Sequence, residues 1–306
     1  MSKPRTYKYN QVDVFTSTPY HGNPLAVVQL PSDEDNISTS SMLRFANWMN
    51  LSETTFLSPS TVADYKVRIF TPVEELPFAG HPTLGSAYVY LQSLDDSARA
   101  ATIARGGTIT QECGIGVVHL KWDASSDVLS FKAPPLTRFE DVDESLVHRV
   151  CSGLAIDRND VTAAKHIVNG PPWFALRLKN SDAVLKARLA DTAPLKDLYI
   201  GVFGEYHHSQ NNARYEVRAF APLAGDVGED PVTGSLKWVD GFVSCFSDAL
   251  YSAGIATWLK DETPAQYSNS QGTKLGRQGI VSVTQTGDDI WIGGSVTKCI
   301  EGTVVL

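Results

Sequence analysis

The sequence predicts an α+β protein built from two similar halves. Three observations predict it. Val-Arg-x-Phe-x-Pro occurs twice, as VRIFTP from Val67 and VRAFAP from Val217, 150 positions apart. Each copy is followed by a polar residue, Pro, two residues and Gly-Ser, as His81-Pro-Thr-Leu-Gly-Ser and Asp230-Pro-Val-Thr-Gly-Ser, 149 positions apart. The order of strand-like and helix-like segments is also similar in both halves. A solenoid needs several short repeats, so a single repeat of about 150 residues indicates a duplicated domain. A chain of 306 residues suits two domains of that size.

The elements follow in order. YKYNQVDVFTSTPYHGNPLAVVQL reads as a hairpin: Val12, Val14 and Ala26 to Val28 are strand-like, and TSTPYHGNP between them is dense in turn formers. In STSSMLRFANWMN, Met42, Leu43, Phe45, Ala46 and Met49 keep a helical period behind a Ser/Thr cap and end near Asn50. SETTFLSPS and YKVRIFTP are short strands. TLGSAYVYLQSL is a helix, apolar nearly all round, which suits burial inside a sheet. GTITQECGIGVVHLKW and DVLSFKAPP are strands, and residues 140–166 read as a helical stretch followed by a loop. The second half repeats the order. AAKHIVNGPPWFALRLKN is hairpin-like, SDAVLKARLADTAPLKDL helical, RYEVRAFAP a strand and TGSLKWVDGFVSCFSDAL a mostly apolar helix. Residues 279–306 are strand material with a turn expected at Gly293-Gly294.

Bulk properties exclude several classes. A net charge of −8 argues against a nucleic-acid binder, which needs clustered Lys and Arg. No segment approaches the ~20 continuous apolar residues of a membrane span, and MSKPRTYKYN lacks the apolar stretch of a signal peptide. Cytoplasmic residence is the expectation. Cys113, Cys151, Cys245 and Cys299 are scattered without C-x-x-C spacing, so reduced thiols are expected rather than a zinc knuckle or redox dithiol. His207-His208 lacks carboxylate or cysteine partners at ligand spacing, so no metal site is expected.

In each half the polar residue and Pro stand where a helix begins. Backbone N–H groups and the positive end of the helix dipole point there, so two such helix starts facing one another would receive an anion such as a carboxylate.

These residues carry a resemblance. VDVFTSTPYHGNPLAVV, LSETTFL, RIFTP with FAGHPTLGSAYV, QECGIGVV, VRAFAP with GEDPVTGSL, and QGTKLGRQG together make the chain similar to the PhzF-like family of phenazine biosynthesis, which shares the diaminopimelate epimerase fold. The resemblance implies two pseudo-symmetric lobes, each a β-barrel-like sheet around a central helix. On that reading residues 1–125 form one lobe and 126–295 the other, the last strand (about 296–306) returns to the first, and the active site lies between the lobes. It implies isomerisation of small molecules by proton movement, without cofactor or metal. Matched motif by motif, the catalytic residues are Glu53, as the group that transfers the proton, with His81 and Asp230 assisting. Racemases and epimerases of this fold place two cysteines at the helix starts. Neither AGHP nor EDPVTG contains one, so a two-thiol mechanism is unavailable and a carboxylate-mediated shift remains. Dimers are common among similar proteins.

The chemistry is consistent with these residue types. A proton-moving carboxylate needs a raised pKa, which partial burial or a second carboxylate supplies. Glu53 and Asp230 would titrate as a coupled pair if they faced each other. His81 is expected to switch charge near neutrality and to orient or protonate the substrate. The candidate substrate-binding set is Asn23, Ser52, Gly80, Thr83, Thr233, Gly234 and Ser235, with backbone N–H groups around Gly80, Gly234 and Ser235 holding a carboxylate or a developing enolate oxygen. Bland readings exist: Glu53 on a solvated strand face, His81 and Asp230 as helix caps, Asn23 in a hairpin turn. The expected partner is a small carboxylated metabolite, and the expected reaction is a cofactor-independent isomerisation in secondary metabolism. A lyase or cyclase starting from the same deprotonation, and a catalytically silent ligand-binding protein, are the alternatives. Residues 16–24 and 169–174 are the expected specificity loops. VNGPPWF and Asp226 in GDVGED depart from the usual family spelling.

Overall fold

The structure is a computed structural model that describes residues 5–32, 37–210, 212–223, 226–230 and 248–306. The chain forms two compact units. One comprises residues up to 132 together with 293–306, and the other lies within 133–292.

The first unit contains β1 (Thr6–Val14), β2 (Asn23–Gln29), α1 (Thr39–Met49), β3 (Thr54–Ser58), β4 (Tyr65–Phe70), β5 (Glu75–Leu76), α2 (Gly80–Ser93), α3 (Asp96–Ala104), β6 (Thr108–Cys113), β7 (Gly116–Asp123) and β8 (Val128–Lys132). The second contains β9 (Arg138–Asp141), α4 (Glu144–Gly153), β10 (Val161–Val168), β11 (Trp173–Leu178), α5 (Ser181–Lys186), β12 (Tyr199–Gln210), β13 (Ala213–Leu223), β14 (Asp226–Asp230), α6 (Asp248–Trp258), β15 (Gln266–Gln271) and β16 (Gly279–Thr286). The long last strand, β17 (Asp289–Val305), starts in the second unit and ends in the first.

In the first unit the pairing runs β17–β1–β2–β3–β4–β6–β7–β8 and returns to β17. The sheet is therefore a closed eight-stranded barrel, and closure removes its edges. Helix α2 packs against β1, β2, β3, β4, β6 and β8, and its residues from Gly80 to Ala87 are buried. This explains why the α2 sequence has no polar face. Gly85 is required by close approach: a Cβ there would lie 2.5 Å from Leu25 Cδ2 and 3.1 Å from the Val12 and Val14 side chains. Strand β2 is buried on both faces, since Ala26 and Val28 meet Met42 and Ala46 of α1 in a separate cluster. Its unbroken apolar run follows from this. Helix α1 starts on Ser38, whose side chain accepts from the Ser41 N–H, and stops at Asn50 in the left-handed region.

The second unit repeats the order and sense of pairing. β9–β10 and β10–β11 are antiparallel, β11–β12 parallel, β12–β13 antiparallel, β13–β15 parallel and β15–β16 antiparallel, and β16 continues to β17. β14 hangs on β13 as β5 hangs on β4. Helix α1 connects one parallel pair and α5 its counterpart, so the repeat seen in six residues extends to the topology of each unit. On β13, Tyr215, Val217 and Ala219 face a core that includes Tyr251 and Ile255 of α6, and Phe220 faces the opposite core beside α4 and α5.

Two expectations are corrected, one boundary moves and one helix is added. Gly293-Gly294 is not a turn but lies inside β17, where a Gly293 Cβ would sit 2.4 Å from the Leu129 carbonyl oxygen of β8. The turn is at Gly287, with a φ of 62°. The helix expected over SDAVLKARLADTAPLKDL stops at Lys186, and only a 3₁₀ turn at Ala193–Leu195 follows. Within residues 140–166 the helix is α4, the loop is the segment 154–160 with a 3₁₀ turn at Arg158–Asp160, and the strand expected from Ala163 starts two residues earlier, at Val161. Helix α3, in DSARAATIA, was not expected from the pattern. Of TGSLKWVDGFVSCFSDAL, only the helix from Asp248 lies within the described residues.

Candidate active site

The site residues of the first unit gather at the start of α2. Asn23 opens β2, and Ala26 pairs in parallel with Thr54, so Asn23 lies level with the residues just before β3. Ser52 and Glu53 are those residues, and both are fully buried. Helix α2 begins at Gly80, with Ala79 as an N-cap that has no side-chain hydrogen bond, and this places His81 in its first turn. His81 Nδ1 lies 3.4 Å from Glu53 Oε2, and neither side chain reaches solvent. The imidazole also faces the Pro24 backbone carbonyl, which draws Asn23-Pro24 to the same place.

Burial pushes the His81 imidazole down to about 3, against the smaller opposing effect of the Pro24 carbonyl. The charge switch near neutrality expected from a free imidazole is therefore removed by the protein interior. A neutral His81 still accepts at one ring nitrogen and donates at the other.

The surroundings are polar and incompletely satisfied. Both amide atoms of Asn23, Ser52 Oγ and Thr54 Oγ1 are buried without a hydrogen-bond partner among the described residues. Native interiors leave few such groups. Asn23 precedes Pro24, whose carbonyl faces His81, and Ser52 and Thr54 flank Glu53, so these polar side chains belong to the stretches of chain that meet at the Glu-His pair.

Three further residues build this site and were not singled out from the sequence. Asp13 is buried, and its Oδ2 accepts from the Gly22 N–H at 3.0 Å, fixing the loop that delivers Asn23. Gly22 has no room for a side chain, since a Cβ would lie 2.1 Å from the Val14 carbonyl. Gln111 donates to Thr83 Oγ1 at 3.0 Å and accepts from the Tyr65 hydroxyl at 2.9 Å, which ties the first turn of α2 to the barrel wall. A charged or amide side chain inside an apolar strand, as in VDVF and TITQEC, was the available signal.

Asp230 belongs to the second unit. It is the last residue of β14, opposite Ala219, and its carbonyl accepts a long hydrogen bond from Gln271 Nε2 at 3.5 Å. Thr233, Gly234 and Ser235 lie outside the described residues. Glu53, His81, Asn23, Ser52, Gly80 and Thr83 are thus brought into one buried neighbourhood. Among the described residues no group of three or more His, Cys, Asp or Glu is arranged to hold a metal ion, and no helix is long and apolar enough to cross a membrane.

Comparison with known proteins adds a lineage to this geometry. Residues 12–302 match the family described as phenazine biosynthesis-like protein. A trans-2,3-dihydro-3-hydroxyanthranilate isomerase of Pseudomonas chlororaphis is 34% identical, over 98% of this chain and 100% of that one. A Schizosaccharomyces pombe protein named antisense-enhancing sequence 1 is 35% identical, over 97% of this chain and 98% of that one. A solved PhzF-family phenazine biosynthesis protein from Enterococcus faecalis superposes with a TM-score of 0.75 at 23% identity, covering 99% of this chain and 100% of that one.

Proposed function

Because the chain belongs to the phenazine biosynthesis-like family, we propose that it is an isomerase that relocates a proton within a small carboxylated metabolite, with Glu53 as the proton carrier. The observation that carries this reading is the buried contact between Glu53 and His81 at the first turn of α2, with the polar residues Asn23, Ser52 and Thr83 also buried. The Pseudomonas chlororaphis relative, a trans-2,3-dihydro-3-hydroxyanthranilate isomerase, supports the reaction class.

In the proposed reaction the Glu53 carboxylate takes a proton from a carbon made acidic by a neighbouring carbonyl or conjugated carboxyl group. It then returns that proton to a different carbon of the same molecule, so the formula is unchanged and no external electron donor or acceptor takes part. Neutral His81 orients the carboxyl group of Glu53 and hydrogen-bonds to the substrate. Asn23, Ser52 and Thr83 bind polar substituents, and the N-terminus of α2 at Gly80 favours a substrate carboxylate. Thr233, Gly234 and Ser235, which lie outside the described residues, and Asp230, as the assisting carboxylate, enter the proposal by motif alone. No metal or organic cofactor enters this scheme.

The test uses trans-2,3-dihydro-3-hydroxyanthranilate as probe, followed by proton NMR in heavy water. Expected are an isomer of equal mass and, for Glu53→Gln, a folded protein with turnover reduced by about 10²-fold or more. Full activity in Glu53→Gln would remove Glu53 from the chemistry. A product of lower mass would replace isomerisation by elimination.

A further inference from the structure

The repeated Val-Arg-x-Phe-x-Pro segment makes the same side-chain unit twice. In the first unit Arg68 donates through Nε and an Nη to both carboxylate oxygens of Glu75, at 2.7 and 2.6 Å, and its guanidinium lies over the Phe70 ring at 5.1 Å. In the second, Arg218 makes the same bidentate pair with Glu229 at 2.7 and 2.6 Å, over Phe220 at 5.0 Å. The register explains the match. Glu75 stands opposite Phe70 and Glu229 opposite Phe220, so in both units the carboxylate meets the arginine two residues before the ring. Each arginine also reaches the crossover helix: Arg68 donates to Thr39 in the first turn of α1, and Arg218 to the carbonyls of Val184 and Ala187 at the end of α5.

The second copy is the buried one. The side chains of Arg218 and Glu229 are 4% and 10% exposed, against 29% and 36% for Arg68 and Glu75. Glu229 immediately precedes Asp230, and adjacent strand residues point to opposite faces. With Glu229 held against Arg218 on the α5 side, Asp230 is turned to the face it shares with Ala219, which belongs to the core around α6. A planar fork bound at both carboxylate oxygens fixes direction as well as distance.

We infer that Arg218 is a positioning residue for Asp230: through Glu229 it locks the end of β14 and sets the direction in which the Asp230 carboxylate is presented. The inference rests on Asp230 having the assisting role proposed above, and its test separates the two. Arg218→Met and the apolar replacement Arg218→Met/Glu229→Leu are compared with wild type by thermal melting and by hydrogen exchange of the 226–230 segment, with β16 as internal reference. A well-packed apolar pair often restores the stability lost with a buried ion pair. Expected is that the 226–230 segment exchanges about tenfold faster, relative to β16, in both variants. The double variant regains the part of the melting temperature due to the ion pair, not the part due to the Val184 and Ala187 carbonyls, without regaining protection of the segment, and lowers kcat on the isomerase probe while KM stays within about twofold. If the double variant recovers both melting temperature and protection, or if the segment exchanges no faster than β16, the clamp is only structural and the inference falls. Should Arg218→Met not fold, the double variant alone decides. Asp230→Asn is the separate control: turnover retained there removes Asp230 from the chemistry without touching the exchange result.

Discussion

Replacing His81 by Gln isolates the thermodynamic effect of burying an imidazole in the centre of the first unit. The folded-state value is lowered from 6.5 to about 3, chiefly by burial. The unfolded chain therefore binds a proton between these values that the folded chain does not. Stability is complete above the unfolded value and is lost as pH falls, at about 1.4 kcal/mol per pH unit down to the folded value. Moving from about pH 7.5 to about pH 4.5 removes about 2.5 kcal/mol through this one residue. Urea unfolding of wild type and His81→Gln at both pH values is the assay. The other carboxylates cancel in the difference between the two pH dependences, but Glu53 touches His81 and does not, so the comparison is made in a Glu53→Gln background as well. Wild type is expected to lose about 2.5 kcal/mol more than the variant. Parallel pH dependences, or an NMR titration of His81 with a midpoint of about 6, would refute the burial argument and restore a charge switch near neutrality.

Two further outcomes follow from packing and hydrogen bonding. Gly293→Ala places a methyl group 2.4 Å from the Leu129 carbonyl oxygen, so β17 and β8 must separate, at a cost of about 2 kcal/mol or more in urea unfolding; an unchanged midpoint would return Gly293 to an open turn. Gln111→Leu strands the buried Tyr65 hydroxyl and removes the donor to Thr83, costing about 1–3 kcal/mol. Adding Tyr65→Phe is expected to recover part of that loss, and strict additivity of the two would show that the hydrogen bond carries no coupling.

The duplication was legible because it rests on side chains that do the same work twice. Arg and Phe two apart share a strand face, and the partner Glu comes from the strand opposite. The helix of the first unit was legible because it is enclosed, and enclosure shows as a missing polar face. Other elements were hidden by partners distant in sequence. The helical pattern of SDAVLKARLADTAPLKDL is real, but Arg218, some thirty residues on, takes the carbonyls of Val184 and Ala187 where the helix would continue. The hairpin read in AAKHIVNGPPWFALRLKN is present as the antiparallel pair β10–β11, with Val161, Thr162, Ile167 and Val168 as strand formers, whereas its other neighbour, β9, gave no local signal. Gly293-Gly294 carries the composition of a turn, yet the glycine answers a neighbouring backbone. Glu53 and His81 were chosen by motif, but nothing local in the sequence fixes their 3.4 Å contact. It depends on the β2–β3 register and on the depth at which α2 sits in the barrel.

The closed barrel of the first unit also has a temporal side. Thr6 pairs with Val305, so the strand between β1 and β8 is made only after the whole second unit has been synthesised. While the ribosome is still at work, the N-terminal half has an open seam whose two edges await one strand, and Glu53 and His81 lie in an unfinished enclosure. The second unit has no such wait for its strands up to β16. Closure of the first barrel therefore depends on a contact of very high sequence separation, between β17 and the strands β1 and β8. Shortening the C-terminus would be felt at the opposite end of the chain, as an open seam between β1 and β8.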